Sequence, residues 1–238
     1  MSSNLLKPQV ADQLSLGVYT MTLQQDYDFS LEGYYKHVGN VLDYRDGVSF
    51  SSEVEIERLV LAGQGRSYGA EFCARKNSGQ LTGWLAYTLS WSRTKIAGIN
   101  GGEWYTASND RRHDVDIVVT YKLSPSWMLN GLWVYNSGQA FTAPSGKYVI
   151  IDNYVYYYAE RNGYRAPDYH RLDVSATWTK KISRGRLTRE WTFGIYNLYN
   201  HYNPFIINFE DGNNGARTKA VQYSLFGIVP SVSFGLKF

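Results

Sequence analysis

The chain ends in a segment whose side chains alternate between apolar residues and small or polar ones. From Phe226 to Phe238 every second residue is apolar, namely Phe226, Ile228, Pro230, Val232, Phe234, Leu236 and Phe238. A β-strand places alternate side chains on opposite faces, so the segment is predicted to have one apolar face and one small, polar face. A strand of a soluble sandwich can show the same pattern. Because it recurs along the chain with large aromatic residues, we interpret the segment as the closing strand of a membrane β-barrel.

The same period of two recurs in about nine segments of the 238-residue chain, and no helical period competes with it. In one segment Val115, Ile117 and Val119 share a face, while Asp114 and Asp116 share the other. The predicted strands are residues 12–23, 27–42, 66–76, 81–93, 114–123, 127–136, 169–180, 191–199 and 222–238. The pattern therefore predicts an all-β fold of antiparallel strands.

The connections between these strands alternate between short polar turns and long loops. The short ones are residues 24–26, 77–80, 124–126 and 181–190, and the long ones are residues 43–65, 94–113, 138–168 and 200–221. Outer-membrane barrels have short periplasmic turns and long extracellular loops. We therefore expect an antiparallel transmembrane β-barrel segment whose C-terminus lies on the periplasmic side.

Large aromatic residues on the apolar faces are expected to mark the periplasmic edge of the membrane. They lie next to a short turn or the C-terminus, and they are Tyr121, Trp127, Trp178, Trp191 and Phe238. Amphipathic rings at this position form the girdle that contacts the lipid headgroups. The alternative is a row of core aromatics in a soluble barrel, which would require these rings to be buried.

Composition and motifs argue against several other classes of protein. Aromatic residues make up 16% of the chain, whereas the net charge of +3 is too small to indicate a nucleic-acid partner. The chain lacks a Walker loop, a Gly-x-Ser-x-Gly elbow and a His-Glu-x-x-His motif, so we do not expect an enzyme. The single Cys73 rules out an internal disulfide. We expect no cofactor and no metal, since the four histidines are scattered and residues 211–215 resemble a calcium loop without its terminal Glu.

An odd number of strands has a consequence for the whole barrel. The first and last of nine antiparallel strands run in the same direction, so they cannot close a barrel by antiparallel pairing. An open edge in lipid leaves about ten backbone polar groups unpaired on each side, at several kcal/mol each. We therefore expect the chain to be one piece of a larger barrel.

Four segments together resemble the C-terminal barrel of TonB-dependent outer-membrane receptors. They are GQGRSYGAEF (63–72), GWLAYTLSWSRT (83–94), ERNGYRAPDYHRLDVSATW (160–178) and LFGIVPSVSFGLKF (225–238). The likeness is greatest to the branch with a carboxypeptidase-regulatory-like N-terminal domain, and it extends from about residue 7 to the end. The resemblance implies a barrel of 22 strands with a plugged lumen, of which residues 1–238 would supply the last nine.

The resemblance also implies function, location and partners. It implies TonB-dependent uptake of a siderophore, glycan, peptide or vitamin across the outer membrane. The signal peptide, TonB box, plug and first barrel strands of the family are not found in this sequence, so contact with the TonB complex would be made only through the absent part. The expected partners are outer-membrane lipid, the absent plug and barrel strands, and the barrel-assembly machinery, which would recognise the terminal Phe238.

Aromatic residues of the long loops are the candidates for binding a solute. Aromatic faces stack on sugar rings and flat chelates, and tyrosine hydroxyls add hydrogen bonds. The predicted substrate-binding residues are Trp104, Tyr105, Tyr156, Tyr157, Tyr164 and Arg165. An outer aromatic girdle, or packing of the loops on one another, would account for the same residues equally well.

Two other functions remain open at this level. One is a small outer-membrane barrel of eight to ten strands that has a structural or ligand-binding role without energy coupling. The other is a soluble ligand-binding β-barrel, which would need the outward tryptophan and phenylalanine rows to be buried.

Overall fold

The period-two segments form the long strands that the sequence predicts. The computed structural model describes residues 6–22, 24–46, 56–151, 153–182, 187–211 and 218–238. Its nine long strands are β1 (Val10–Met21), β2 (Tyr27–Tyr44), β3 (Val60–Lys76), β4 (Leu81–Lys95), β5 (His113–Lys122), β6 (Trp127–Asn136), β7 (Tyr169–Ile182), β8 (Leu187–Tyr196) and β9 (Val229–Lys237). None of the helices in these ranges is long and apolar enough to cross a membrane.

Each long strand pairs antiparallel with the next one along the chain, in the order β1 to β9. Successive strands are joined alternately by short turns and by long loops, as expected. The described residues of the loops L1 (45–59), L2 (96–112), L3 (137–168) and L4 (197–228) lie at one end of the sheet. A one-turn helix, Ile56–Leu59, ends L1, and short hairpins lie within L3 and L4. The sheet is thus an open meander with one end rich in loops.

Most predicted strand boundaries lie within a few residues of the observed ones. The strand 127–136 is correct residue for residue. Strand β3 begins six residues earlier than predicted, because β2 extends beyond a bulge between Gly39 and Val41 and keeps its partner paired. The residue inside the bulge, Asn40, has a left-handed φ of 57°, which asparagine adopts more readily than most residues. The predicted end of the first strand, residue 23, lies outside the described residues, as do residues 212–215 of the calcium-like segment.

The first part of the predicted last strand is wrong. Residues Thr218–Tyr223 pair with Ile206–Asp211 in a separate hairpin of L4, and β9 begins only at Val229. Between them, the amide of Ile228 donates to Asn200 Oδ1 at 2.9 Å instead of continuing a ladder. Alternation alone does not show which partner a strand takes, so the end of the hairpin strand and the strand that follows it were predicted as one.

Apolar side chains lie on one face of the sheet in rows that cross the strands in register. One such row runs through Val18, Leu31, Phe72, Tyr87 and Val115, each opposite the next. Many of these side chains are exposed; Leu16 on edge strand β1 is 82% exposed. A continuous apolar face that no other layer covers matches a lipid-facing surface rather than a soluble core.

The predicted girdle residues lie close together near the short turns. Trp127, Trp178, Trp191 and Phe234 occupy one row across β6 to β9, and Tyr121 lies one row further from the turns. Phe238 follows the end of β9 and is 98% exposed. Large aromatic rings in one row at the end of an apolar band are typical of a barrel girdle.

The opposite face carries the charged and hydroxyl-bearing residues. A row across β2 to β6 contains Glu32, Glu71, Thr88, Asp114 and Asn136, each opposite the next. The interiors of membrane barrels are polar, so this face corresponds to the lumen side of the fold. The face is not uniformly polar, because apolar residues such as Trp84 and Leu132 also point to it.

The two outer strands of the sheet are not paired with each other. Strands β1 and β9 are the ends of the order, and they run in the same direction because seven strands lie between them. The only buried apolar cluster of the described chain, formed by Ile96, Ile99 and Tyr105, lies at the loop end of the sheet, where Leu61 of β3 packs against it. Within the described residues, the apolar face is therefore not covered by a second layer, and the outer edges of β1 and β9 have no partner strand.

We predict that an arginine on the apolar face destabilises the assembled barrel more than one on the polar face. Val174 and Ser175 are neighbours on β7 that point to opposite faces, with Ile195 and Gly194 as their respective partners. In the full barrel Val174→Arg is expected to cost roughly 2–4 kcal/mol near the middle of the membrane. Ser175→Arg should cost much less. Folding titrations in lipid vesicles measure both, and the reverse order would show that the faces are assigned the wrong way round.

Candidate binding surface in the long loops

The long loops contact one another over the end of the sheet. The strongest junction is Arg161 of L3, whose guanidinium lies 3.3 Å from Asp43 Oδ1 and 2.9 Å from Asp46 Oδ1. The same guanidinium donates to the carbonyl of Tyr44 at 2.7 Å, and the Arg161 amide donates to Asn100 Oδ1 at 2.8 Å. One side chain of L3 thus joins the end of β2 to L1, and its backbone joins L2.

Tyr105 is part of this junction and is not free to stack on a solute. Its side chain is 5% exposed, and its hydroxyl donates to Asp43 Oδ2 at 2.9 Å. Burial and the hydrogen bond to the carboxylate both raise the pKa of Tyr105 well above its ordinary value, so the hydroxyl keeps its proton. Tyr105 and Arg161 share the carboxylate of Asp43, so the three side chains position L2 and L3 together.

Arg165 makes a second junction, between L3 and L2. Its guanidinium donates to the carbonyls of Asp110 and Gly138, at 2.8 and 3.1 Å, and forms an ion pair with the Asp110 carboxylate. Asp110 is 2% exposed, and its other oxygen accepts from the amide of Ser92. A buried carboxylate that loses its cation is strongly unfavourable, so Arg165 has a structural part in holding the loops.

Asp168 closes the base of L3. Its carboxylate accepts a hydrogen bond from the Tyr135 hydroxyl at 2.7 Å and another from the Gly138 amide at 2.9 Å. These two hydrogen bonds, the first above all, hold the pKa of Asp168 below its usual range. The two ends of the loop approach so closely that a Cβ on Gly138 would lie 1.6 Å from the carbonyl oxygen of Ala166. Only glycine fits at that position.

The tyrosines of L3 divide into anchored and exposed side chains. The hydroxyl of Tyr156 donates to Asp211 Oδ1 of L4 at 2.8 Å, beside the ion pair of Lys147 with the same oxygen. Tyr157 and Tyr164, by contrast, are 55% and 44% exposed. Among the aromatic residues predicted to bind a solute, these two are the exposed ones.

Trp104 packs against an arginine of β3. The guanidinium carbon of Arg66 lies 4.2 Å from the centre of its ring, in cation–π geometry. Arg66 belongs to the same face of β3 as Phe72 and Tyr68, which is the apolar one. Trp104 therefore packs over the outward side of the sheet and not over the lumen.

A cleft of about 370 Å³ lies between the base of L3 and L4, and the sequence did not reveal it. Asn136 and Tyr169, from the polar face, form its floor together with Arg111, whose guanidinium donates to Asn136 Oδ1 at 2.9 Å. Phe141 and Phe205 are among its apolar walls. Clefts with apolar walls and a few convergent polar groups are the usual form of a small-molecule site. No sequence signal brings Phe205 beside Arg111, because only the folding of two loops does so.

A second cleft, of about 420 Å³, lies between L2 and L3. It is lined mainly by polar residues, including Glu103, Glu160, Arg161 and Asn162, and the rings of Trp104 and Tyr105 reach it as well. No group of three or more His, Cys, Asp or Glu side chains within the described residues could hold a metal ion.

Comparison with known proteins places this arrangement in a family. The family described as TonB dependent receptor-like, beta-barrel matches residues 2–198. The ferripyoverdine receptor of the Pseudomonas aeruginosa outer membrane is similar in structure, with a TM-score of 0.58 and 11% identity. The ferric-catecholate import receptor Fiu of Escherichia coli K12 has a TM-score of 0.56 and 15% identity. No curated protein matches the chain.

The chain belongs to the TonB-dependent receptor-like β-barrel family, because the match covers well over half of it. Its fold is the antiparallel transmembrane barrel fold of that family, present as an open sheet. Both solved receptors cover 97% of this chain, whereas the chain covers 27% of each receptor. The chain thus spans about a quarter of the length of these structures.

We predict that Asp168→Ala loosens the base of L3 in the assembled protein. The variant removes two hydrogen bonds, each worth roughly 0.5–1.5 kcal/mol, so the Gly138 amide should exchange its hydrogen at least about two- to tenfold faster. The lowered pKa of Asp168 means that the contact is complete above the ordinary aspartate pKa and is lost as the pH falls through the lower folded value. Hydrogen exchange followed by mass spectrometry measures both effects.

Glu160→Ala is the matched control, since this carboxylate of the same loop makes no ion pair or hydrogen bond within the described residues. Equal exchange at Gly138 in the two variants would contradict the assigned role of Asp168.

Proposed function

We propose that residues 1–238 form the last nine strands of a 22-stranded outer-membrane barrel whose plug and first strands belong to the N-terminal part of the protein. The open sheet supports this, because its edges in lipid would leave about a dozen backbone polar groups unpaired on β1 alone, at several kcal/mol each. The coverage of 27% of the solved receptors agrees with nine strands of a much larger barrel. Antiparallel partners for β1 and β9 would then come from the missing strands.

We infer that the complete protein is a receptor that binds a nutrient outside the cell and imports it with energy from the TonB complex. Family membership is the observation that carries this inference. The two similar structures are those of a ferripyoverdine receptor and a ferric-catecholate import receptor, and this supports a siderophore as a candidate solute, beside a glycan, a peptide or a vitamin. The TonB complex would contact the N-terminal part of the protein and not these nine strands.

We propose that the predicted binding residues act in two ways. Tyr157 and Tyr164 are exposed and contact the solute directly, whereas Tyr105, Tyr156 and Arg165 hold the loops that present them. The sixth residue, Trp104, contributes only through the ring surface that Arg66 leaves open. A structural role for the anchored side chains is supported by their ion pairs and hydrogen bonds to other loops.

The cleft between L3 and L4 is the proposed inner part of the same binding surface. It opens on the polar face, so a solute held by the loops would pass over Arg111 and Tyr169 on its way toward the lumen. Apolar walls from Phe141 and Phe205 suit a solute with flat or apolar parts, and the Arg111 guanidinium suits one with acidic or chelating oxygens.

We also propose that the barrel-assembly machinery recognises the C-terminal residue, Phe238, during insertion into the membrane. Phe238 is 98% exposed and continues the apolar face through Leu236 and Phe234. An exposed terminal strand with an aromatic end offers both a free edge and a side-chain anchor to the barrel-assembly machinery.

We predict that uptake by the full-length receptor depends on exposed loop tyrosines and on TonB. Tyr164→Ala should lower the affinity for the transported solute about tenfold, because stacking on an aromatic ring is worth on the order of 1 kcal/mol or more. Tyr164→Phe should retain most of the affinity, since the ring remains. Uptake of labelled siderophores, glycans, peptides and vitamins is measured in cells with equal surface amounts of each variant. Import that continues without the TonB complex would contradict the proposal.

The nine strands alone are not expected to form a stable barrel. If the 238-residue chain is exported to the outer membrane by itself, it should be degraded or run on a gel at the same position with and without heating. A small complete barrel would instead show a mobility that changes on heating, because folded barrels resist detergent. Such a shift would support the alternative of a small barrel without energy coupling.

A further inference from the structure

On four neighbouring strands, the outward residues change from apolar to charged or polar between one row and the next. On β1 to β4 the outward residues Leu14, Tyr35, Tyr68 and Trp91 lie opposite one another. The next outward row, two residues nearer the loops, contains Asp12, His37, Arg66 and Arg93. Because the registers align these residues, the change is a property of the surface and not of one strand.

The spacing along the sheet matches the thickness of a membrane. On β4 the outward apolar residues run from Leu81, which lies opposite Tyr121 of the lower girdle, to Trp91. Ten residues at about 3.3 Å each, tilted about 45°, rise roughly 23 Å. The apolar band of outer-membrane barrels is about 25 Å tall, so Tyr68 and Trp91 lie where the second girdle is expected and Arg66 and Arg93 lie at headgroup level.

Two arginines of this row, and Arg112 over the Trp91 ring of the row below, have few anionic partners. Arg66 and Arg93 are directly opposite each other, and neither forms an ion pair within the described residues. The Nε atoms of Arg66 and Arg112 are buried without a hydrogen-bond partner. Like charges placed opposite each other are unfavourable, so an anion between these side chains would stabilise the surface.

Two tryptophan rings hold the guanidinium groups. Trp104 covers Arg66 at 4.2 Å, and the Arg112 guanidinium lies 4.5 Å from the centre of the Trp91 ring. Cation–π contacts of this kind fix the plane of a guanidinium and leave its outer edge free to donate hydrogen bonds.

The nearby carboxylates do not neutralise the row. Asp12 lies two strands from Arg66, about 10 Å away at the usual strand spacing. Asp110 is 3.6 Å from Arg112, but it is buried and already paired with Arg165. Glu103 and Glu160 line a cleft together with Arg93, and neither carboxylate forms an ion pair within the part of the chain that the structure describes.

We propose that Arg66, Arg93 and Arg112 bind the phosphate group of an anionic lipid in the outer leaflet, with Trp91 and Trp104 packing beside it. Guanidinium groups pair with phosphate through two parallel hydrogen bonds, which a zwitterionic headgroup satisfies less well. The two outward rows below, which contain Trp91 and Leu89, receive the acyl chains of the same lipid. This inference rests on the membrane placement in the proposed function.

The test uses the full-length protein in lipid nanodiscs. Lipid A with two phosphates, monophosphoryl lipid A and phosphatidylcholine are offered in turn, and the lipid retained after mild detergent extraction is counted by native mass spectrometry. We expect retention of bisphosphorylated lipid A to fall about tenfold in Arg66→Gln and Arg93→Gln. Lys36→Gln is the control, because Lys36 lies next to His37 of the row but points to the opposite face, so the loss of its charge should leave retention unchanged.

Three outcomes would overturn the inference. Equal retention of lipid A by the Lys36→Gln and Arg66→Gln variants would show that the arginines do not bind the lipid. Equal retention of phosphatidylcholine and lipid A would show that phosphate is not recognised. Binding of inorganic phosphate alone, at the same affinity as lipid A, would identify a site for a free anion instead of a lipid.

Quenching by brominated acyl chains separates this inference from the proposed function. If brominated lipid quenches the fluorescence of Trp91 and Trp178 but retention does not depend on the arginines, only the phosphate site is wrong. If brominated lipid quenches neither tryptophan, the outward face is not in lipid and the membrane placement itself fails.

Discussion

The register of the antiparallel ladders is the constraint on which the rest of the structure depends. Side chains alternate with a period of two, so a slip of one residue in any pair would carry apolar residues to the polar face. Register is kept across eight successive pairings, and the bulge at Asn40 lies where β2 has already passed the apolar band. One unbroken apolar face results, with an aromatic row near each end and charged residues beyond the row at the loop end.

The loops are organised by a different interaction, the pairing of arginine with carboxylate. Arg161 and Arg165 each connect L3 to neighbouring strands and loops, and Asp43 and Asp110 are the half-buried and buried acids that receive them. These contacts leave Tyr157 and Tyr164 exposed on a fixed support. Binding residues of many proteins lie on loops that a rigid scaffold holds in place. The sheet therefore determines the position of the loops, and the ion pairs determine which of their side chains remain exposed.

The sequence predicted the strands well because their signal is local. Alternation and turn residues located β6 residue for residue, and the phase of each strand identified the outward rows. Partner choice was not predictable in the same way, and the stretch before β9 was joined to it because alternation does not show where one strand ends and a strand with another partner begins. The loop contacts were the hardest to predict from the sequence. Tyr105 and Tyr157 are both loop tyrosines, and only the folded structure shows that Tyr105 reaches Asp43. The cleft beside Arg111 depends on two loops separated by the whole of β7 and β8.

The contact of one face with lipid and of the other with water is tested most directly by spin labels along β5. Single cysteines at positions 114 to 120 of the full-length protein, with Cys73 replaced by serine, are labelled in lipid bilayers. Collision with oxygen, which dissolves in lipid, and with a water-soluble nickel chelate is then measured. Oxygen access should peak at 115, 117 and 119, and nickel access at 114, 116, 118 and 120. The opposite phase, or no period of two, would contradict the assignment of the faces.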